Sequence, residues 1–156
     1  PHEILGINES DYIRSCDRFR LAGIYDTMPP DRCVLDWFNK NGDKYRHVAL
    51  TSIPISAAHE SAKWVYKNFG RWIRTFHVVP SKRKGQKAFC YDESKAKFLE
   101  WFGRADIFID DAPENLLAVA RSGVRCILVP RPWNDSKQSL TDALKAIQQG
   151  SHDKAL

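Results

Sequence analysis

No two of the four cysteines, Cys16, Cys33, Cys90 and Cys126, stand in a C-x-x-C pair. Neither a zinc site nor a dense disulfide framework is signalled, and reduced thiols of a cytoplasmic protein are the expectation. No apolar run approaches the length of a membrane span, and Pro1-His2-Glu3 does not begin a signal peptide, so a soluble intracellular chain with no membrane contact is expected. Internal repeats and low-complexity stretches are absent, which excludes solenoids and linker-like segments. An initiator methionine is missing as well; the expectation is either a trimmed start or further residues upstream.

What is present suits one globular domain. Hydrophobic residues make up 43% of 156 positions, enough for one sizeable core and too little for two comfortable ones. Lys plus Arg number 24 against 19 Asp plus Glu, a net charge of +5, and the pI is about 9.1. That balance favours an anionic ligand, a phosphate ester or a nucleic acid, without choosing between them. The one dense basic cluster, Lys82-Arg83-Lys84 followed by Lys87, reads as a solvated loop.

Short β-branched apolar runs at 48–50, 76–79, 107–109 and 126–129 read as buried strands. Helical patterns near 57–69, 94–102, 113–122 and 140–149 alternate with them. Pro113 suits a first helical turn, and Gly70, Gly103 and Gly123 each follow a helical stretch where a left-handed residue ends a helix. Strand and helix in alternation predict a doubly wound parallel α/β sheet, with the ligand at the carboxyl ends of the strands. Residues 1–42 differ: helical patterns near 9–21 and 31–39, a turn at Met28-Pro29-Pro30-Asp31, and no strand. They are expected to form a small helical cap, with the α/β core at 43–150 and a tail at 151–156.

The segment richest in chemistry is Ala105-Asp106-Ile107-Phe108-Ile109-Asp110-Asp111-Ala112-Pro113-Glu114-Asn115. Asp110 and Asp111 directly after a buried strand make a like-charge site that a hard cation such as Mg²⁺ relieves. A helix N-cap accounts for one of the two aspartates and leaves the other unexplained. Thr51 and Ser52 close the apolar run after His47, where hydroxyl and backbone N–H can hold phosphate oxygens; ordinary turn chemistry is the competing role. Lys95, with Lys97 second and Lys82, Lys84 and Lys87 in competition, is the candidate for offsetting phosphate charge, although a single lysine is more often merely solvated.

The order hydroxyl, lysine, paired aspartates resembles motifs two to four of the haloacid-dehalogenase (HAD) superfamily; a response-regulator receiver has the reverse order. Thr51-Ser52-Ile53-Pro54-Ile55, Lys63-Trp64-Val65-Tyr66-Lys67-Asn68-Phe69-Gly70 and Pro130-Arg131-Pro132-Trp133-Asn134 look like landmarks of the 5′(3′)-deoxyribonucleotidases. Phe19-Arg20-Leu21-Ala22-Gly23-Ile24-Tyr25 through Pro30 is similar to the stretch that leads from that family's cap back to its core. The resemblance implies a Mg²⁺-dependent phosphomonoesterase acting on a nucleotide or another small phosphate ester. In it Asp110 and Asp111 serve the metal, Thr51 and Ser52 the phosphate, and Lys95 its charge.

The same resemblance calls for an N-terminal D-x-D whose first aspartate attacks phosphorus, and no D-x-D occurs in the sequence. The nearest stretch places Gly6 and Asn8 at the two positions; it reads better as the lead-in to a helix capped by Asn8 or Ser10. The motif strand is central in the HAD sheet, so the expectation is an upstream segment, or another segment or chain, that completes the sheet, or a rearrangement of the four strands. Two other functions stay open. One is a HAD-fold pseudoenzyme or interaction module. The other is a polynucleotide end-processing phosphatase, with tryptophans stacking on bases. Trp64, Trp72 and Trp101 are expected in the core, which leaves Trp37 and Trp133 for stacking.

Overall fold

The computed structural model describes residues 1–81 and 91–149; Lys82, Arg83, Lys84, Lys87 and Cys90 lie outside them. The chain divides into two compact units, Pro1–Lys95 and Ala96–Leu156, and is of the α/β class.

The first unit begins with α1 (Glu9–Leu21), a 3-10 turn (Ile24–Thr27) and α2 (Arg32–Asn41). Asn8 caps α1, its side chain accepting from the Asp11 N–H, and Asp31 caps α2 by accepting from Cys33 and Val34; both satisfy N–H groups that a helix start leaves orphaned. β1 (His47–Ile53) follows. After a 3-10 turn (Ile55–Ala57), α3 (Ala58–Phe69) leads to β2 (Ile73–Pro80). β1 and β2 pair in parallel, with Thr51 opposite Val78 and Ser52 opposite Val79. A parallel pair needs a crossover, and the amphipathic α3 supplies it.

Aromatic packing holds this unit together. Phe38 meets His47, Phe69 and Trp72 with ring centroids 4.8, 5.0 and 5.3 Å away, and Trp37 stacks on Tyr45. Gly42 is required beside Trp72, because a Cβ there would come within 2.6 Å of the indole. Gly70 departs from the expected left-handed cap: its φ is −62°. Its lack of a side chain serves a close approach to the Tyr66 carbonyl, which a Cβ would strike. Gly103 and Gly123, at φ +65° and +79°, are left-handed as expected.

The segment between α1 and α2 is fastened to one face of α3. Lys63 Nζ lies 3.0 Å from Asp26 Oδ2, Lys67 Nζ donates to the Asp26 carbonyl at 2.9 Å, and Trp64 Nε1 donates to the Met28 carbonyl at 2.7 Å. The Lys63 hydrogen bond, aided by the charge of Lys67, holds the Asp26 carboxyl below its ordinary 3.8, while partial desolvation opposes the shift. The same bond raises the Lys63 ammonium above its ordinary 10.5. A carboxyl depressed in the folded state stabilises above its unfolded pKa and ceases to as pH falls through the folded value. Asp26 therefore contributes above about pH 3.8 and loses its contribution below it. The Lys63 side of the pair is complete below pH 10.5 and lost above it. In urea titrations the stability gap between the native chain and Asp26→Asn should close at both extremes; a gap independent of pH would remove this pair from the ledger.

The second unit is built the same way. α4 (Lys95–Phe102) starts at the boundary, and β3 (Ile107–Asp110), α5 (Pro113–Ala120), β4 (Arg125–Leu128) and α6 (Leu140–Gln148) follow. β3 and β4 pair in parallel across α5, with Asp110 opposite Leu128. Pro113 opens α5 as expected. α6 starts on a capping box, in which Ser139 and Asp142 each bond the other's backbone N–H. Phe98, Phe108, Leu116, Val119, Ile127 and Ile147 are buried.

Two tryptophans reverse their expected roles. Trp37 is 9% exposed, a core residue, and Trp101 is 78% exposed. In α4 Phe98 and Leu99 are the buried residues, and Trp101, one turn on from Phe98, touches its ring at a centroid distance of 5.9 Å while leaving most of its own surface uncovered. Among the described residues no helix is long and apolar enough to cross a membrane.

Candidate functional site at the strand ends

β3 delivers Asp110 and Asp111 in a way its pleat dictates. Side chains alternate across a strand, and the burial of β3 alternates with them: Phe108 and Asp110 are buried, Ile109 exposed. Asp110 is thus a carboxylate on a core-facing position, 6% exposed, which is tolerable only if hydrogen-bonded. Its Oδ1 accepts from the Ala112 N–H at 2.9 Å and from Asn115 Nδ2 at 3.2 Å. The turn into α5 therefore folds around the carboxylate.

Asp111 has a different environment. It is half-buried, and its Oδ2 accepts from Trp133 Nε1 at 3.1 Å. Neither aspartate is the N-cap of α5; that position is Ala112, which makes no side-chain capping bond. Capping therefore accounts for neither aspartate.

Thr51 and Ser52 occupy the fifth and sixth places of the seven-residue β1. As neighbours in a strand they face opposite sides of the sheet, Thr51 half-buried and Ser52 exposed. A phosphate reached by one hydroxyl meets the other residue through its backbone. Lys95 is the first residue of α4 and half-buried. Lys97 donates to Glu100 Oε2 at 2.8 Å on an exposed face, and that bond lowers the Glu100 carboxyl. The competing Lys82, Lys84 and Lys87 lie outside the described residues. Thr51, Ser52 and Lys95 thus belong to the first unit, and Asp110 and Asp111 to the second.

The donor chemistry of the aspartate pair fits Mg²⁺. This ion takes oxygen ligands, keeps several waters and needs only one or two carboxylates besides substrate phosphate. Among the described residues no group of three or more His, Cys, Asp or Glu is gathered as a metal cage, so a softer, fully protein-ligated ion has no such cage there.

Two constellations escaped the sequence reading. His77, in β2, shares a hydrogen bond of 2.9 Å between its Nε2 and Asp92 Oδ2, and Asp92 sits at φ +57°, rare outside glycine. A histidine inside an apolar strand run was the only signal. Asn134, read in the sequence only within the Pro130-Arg131-Pro132-Trp133-Asn134 landmark, bonds to the turn that holds Asp111, across 23 residues, a contact that no local pattern reveals.

No protein-family model, no curated protein and no solved structure matches the chain.

Proposed function

We propose that the chain is the greater part of a HAD-type, Mg²⁺-dependent phosphomonoesterase for a nucleotide or a similar small phosphate ester, with a doubly wound parallel sheet completed by a further strand. The observation that carries the proposal is the pair Asp110–Asp111 at the carboxyl end of a parallel strand, one carboxylate buried and caged by its own turn, the other half-exposed beside it. Two adjacent acids at a strand end offer the oxygen ligands that a hard cation takes.

In this reading Asp110 and Asp111 hold the ion, which when bound supplies positive charge to the phosphoryl oxygens. Thr51 or Ser52 donates to a phosphate oxygen, the neighbouring backbone N–H orients a second, and Lys95 offsets the remaining charge. The attacking carboxylate is supplied from outside these residues, because a strand-end nucleophile of the D-x-D kind is absent from the sequence.

That absence favours a second reading, a pseudoenzyme that keeps the ligand pocket without turnover. Stacking on polynucleotide bases has less behind it, since Trp37 is buried. The test is calorimetric titration of the chain with a nucleoside 5′-monophosphate and with the parent nucleoside, each with and without Mg²⁺. Binding of the monophosphate alone, strengthened by Mg²⁺ and unaccompanied by phosphate release, is the expected result. Equal binding of both compounds, or of neither, would sink the proposal; turnover by this chain alone would overturn the assignment of the nucleophile.

A further inference from the structure

We infer that Asn134 is the positioning residue of the Asp110–Asp111 turn, a bracket that locks the exit of β4 onto the exit of β3. Its Nδ2 carries two hydrogens, and both are used: one is donated to the Asp111 carbonyl at 2.8 Å and the other to the Val129 carbonyl at 2.9 Å. Its Oδ1 accepts from the Arg131 N–H at 3.2 Å. Val129 in turn donates its own N–H to the Asp110 carbonyl at 2.8 Å. One side-chain amide therefore continues the parallel ladder beyond the last paired residues, Asp110 and Leu128, and does so at the aspartate pair.

The neighbouring residue adds a second point of attachment. Trp133 Nε1 donates to Asp111 Oδ2, so consecutive side chains of one loop grip the backbone and the carboxylate of the same aspartate. The indole is 39% exposed, and its N–H occupies one lone pair of Asp111, leaving the other oxygen of that carboxylate as the one suited to an outside ligand. Only asparagine or glutamine offers two N–H groups and an acceptor on one planar end, and glutamine is one methylene too long to keep all three partners in place.

The link to metal binding rests on the reading of Asp110 and Asp111 as the metal-holding pair; the bracket itself can be tested apart from it. Asn134→Asp keeps the shape and replaces the two donors by an oxygen facing two carbonyl oxygens. Two measurements on the full chain are made: hydrogen exchange of the Ala112 amide, which reports the turn around the Asp110 carboxylate, and Mn²⁺ affinity as a probe of the metal site. Exchange at Ala112 should accelerate while amides of α6 and β1 keep their rates, and Mn²⁺ should bind about 10- to 100-fold more weakly, the usual consequence of losing a group that orients a ligand.

If the native chain binds no Mn²⁺ while Asn134→Asp still frees Ala112, the bracket stands and the metal-pair reading falls. Unchanged exchange at Ala112, or equal acceleration throughout the second unit, overturns the inference. Should Asn134→Asp fail to fold, Asn134→Gln keeps the donors and the acceptor and displaces them by one methylene. Exchange at Ala112 should accelerate with the fold intact, and native exchange there would again overturn the inference.

Discussion

Asp110→Asn is expected to weaken divalent-cation binding by roughly 100-fold or more, beyond the 10- to 100-fold typical of losing an outer-shell partner. The reason is electrostatic. A carboxylate beside a doubly charged ion in a buried setting interacts through a low effective dielectric, and the neutral amide forfeits that attraction. The shape is retained, and the amide oxygen can still accept from Ala112 and Asn115, as Oδ1 does in the native chain. The loss should therefore appear in Mn²⁺ or Mg²⁺ titration with little change in the unfolding midpoint. Equal affinity in the two proteins would remove Asp110 from the site. A large drop in stability would instead make the aspartate a structural anchor of the β3–α5 turn.

Phe108→Ala should be the most damaging of the core changes, because fold and site share one strand face. Phe108 is two residues before Asp110 and buried with it, so truncation leaves a cavity on the strand face that carries the carboxylate. Emptying a buried phenylalanine site costs about 3–5 kcal/mol. The second unit is a short one, Ala96–Leu156, and small cores have little reserve. Urea unfolding followed by hydrogen exchange should show β3, α5 and β4 opening at lower denaturant than β1 and β2. A cost below about 1 kcal/mol would mean that the face of β3 is not core, since surface changes fall in that range.

The two predictions separate chemistry from architecture. Asp110→Asn removes charge and spares packing; Phe108→Ala removes packing and spares charge. An ion-binding loss in both, with a stability loss only in the second, is the pattern expected of a metal pair presented by a strand. The Asn134 bracket adds a third dependence, in which core volume is kept and the orientation of the turn is lost.

The elements themselves were legible in the sequence because their signals are local. Alternation and apolar runs marked the four strands of the described residues, Pro113 marked the start of α5, and Asn8 was one of two foreseen caps of α1. Asp110 and Asp111 were legible as a pair, since two acids ending an apolar run stand out without any knowledge of neighbours. Their separate settings were not. That Asp110 is the buried one, with a turn wrapped around it, follows from the phase of the β3 pleat against the core. That Asp111 answers to Trp133 and Asn134 follows from β4 lying beside β3.

Tertiary context also decided the tryptophans and one glycine. Trp37 and Trp101 both lie in helices, and only the packing of each helix tells which face is covered; the two turned out opposite to expectation. Gly70 follows a helix as a left-handed cap would, yet it is right-handed and needed for the space beside Tyr66. The sequence by itself determined where the chain becomes strand or helix and where its acids and hydroxyls fall, because backbone preference and side-chain periodicity act over a few residues. Which strands pair, which faces are buried and which side chains reach across 23 or 41 positions, as Asn134 reaches Asp111 and Lys67 reaches Asp26, only the tertiary structure decided. Those contacts depend on loop closure and shared burial, and both are properties of the whole chain.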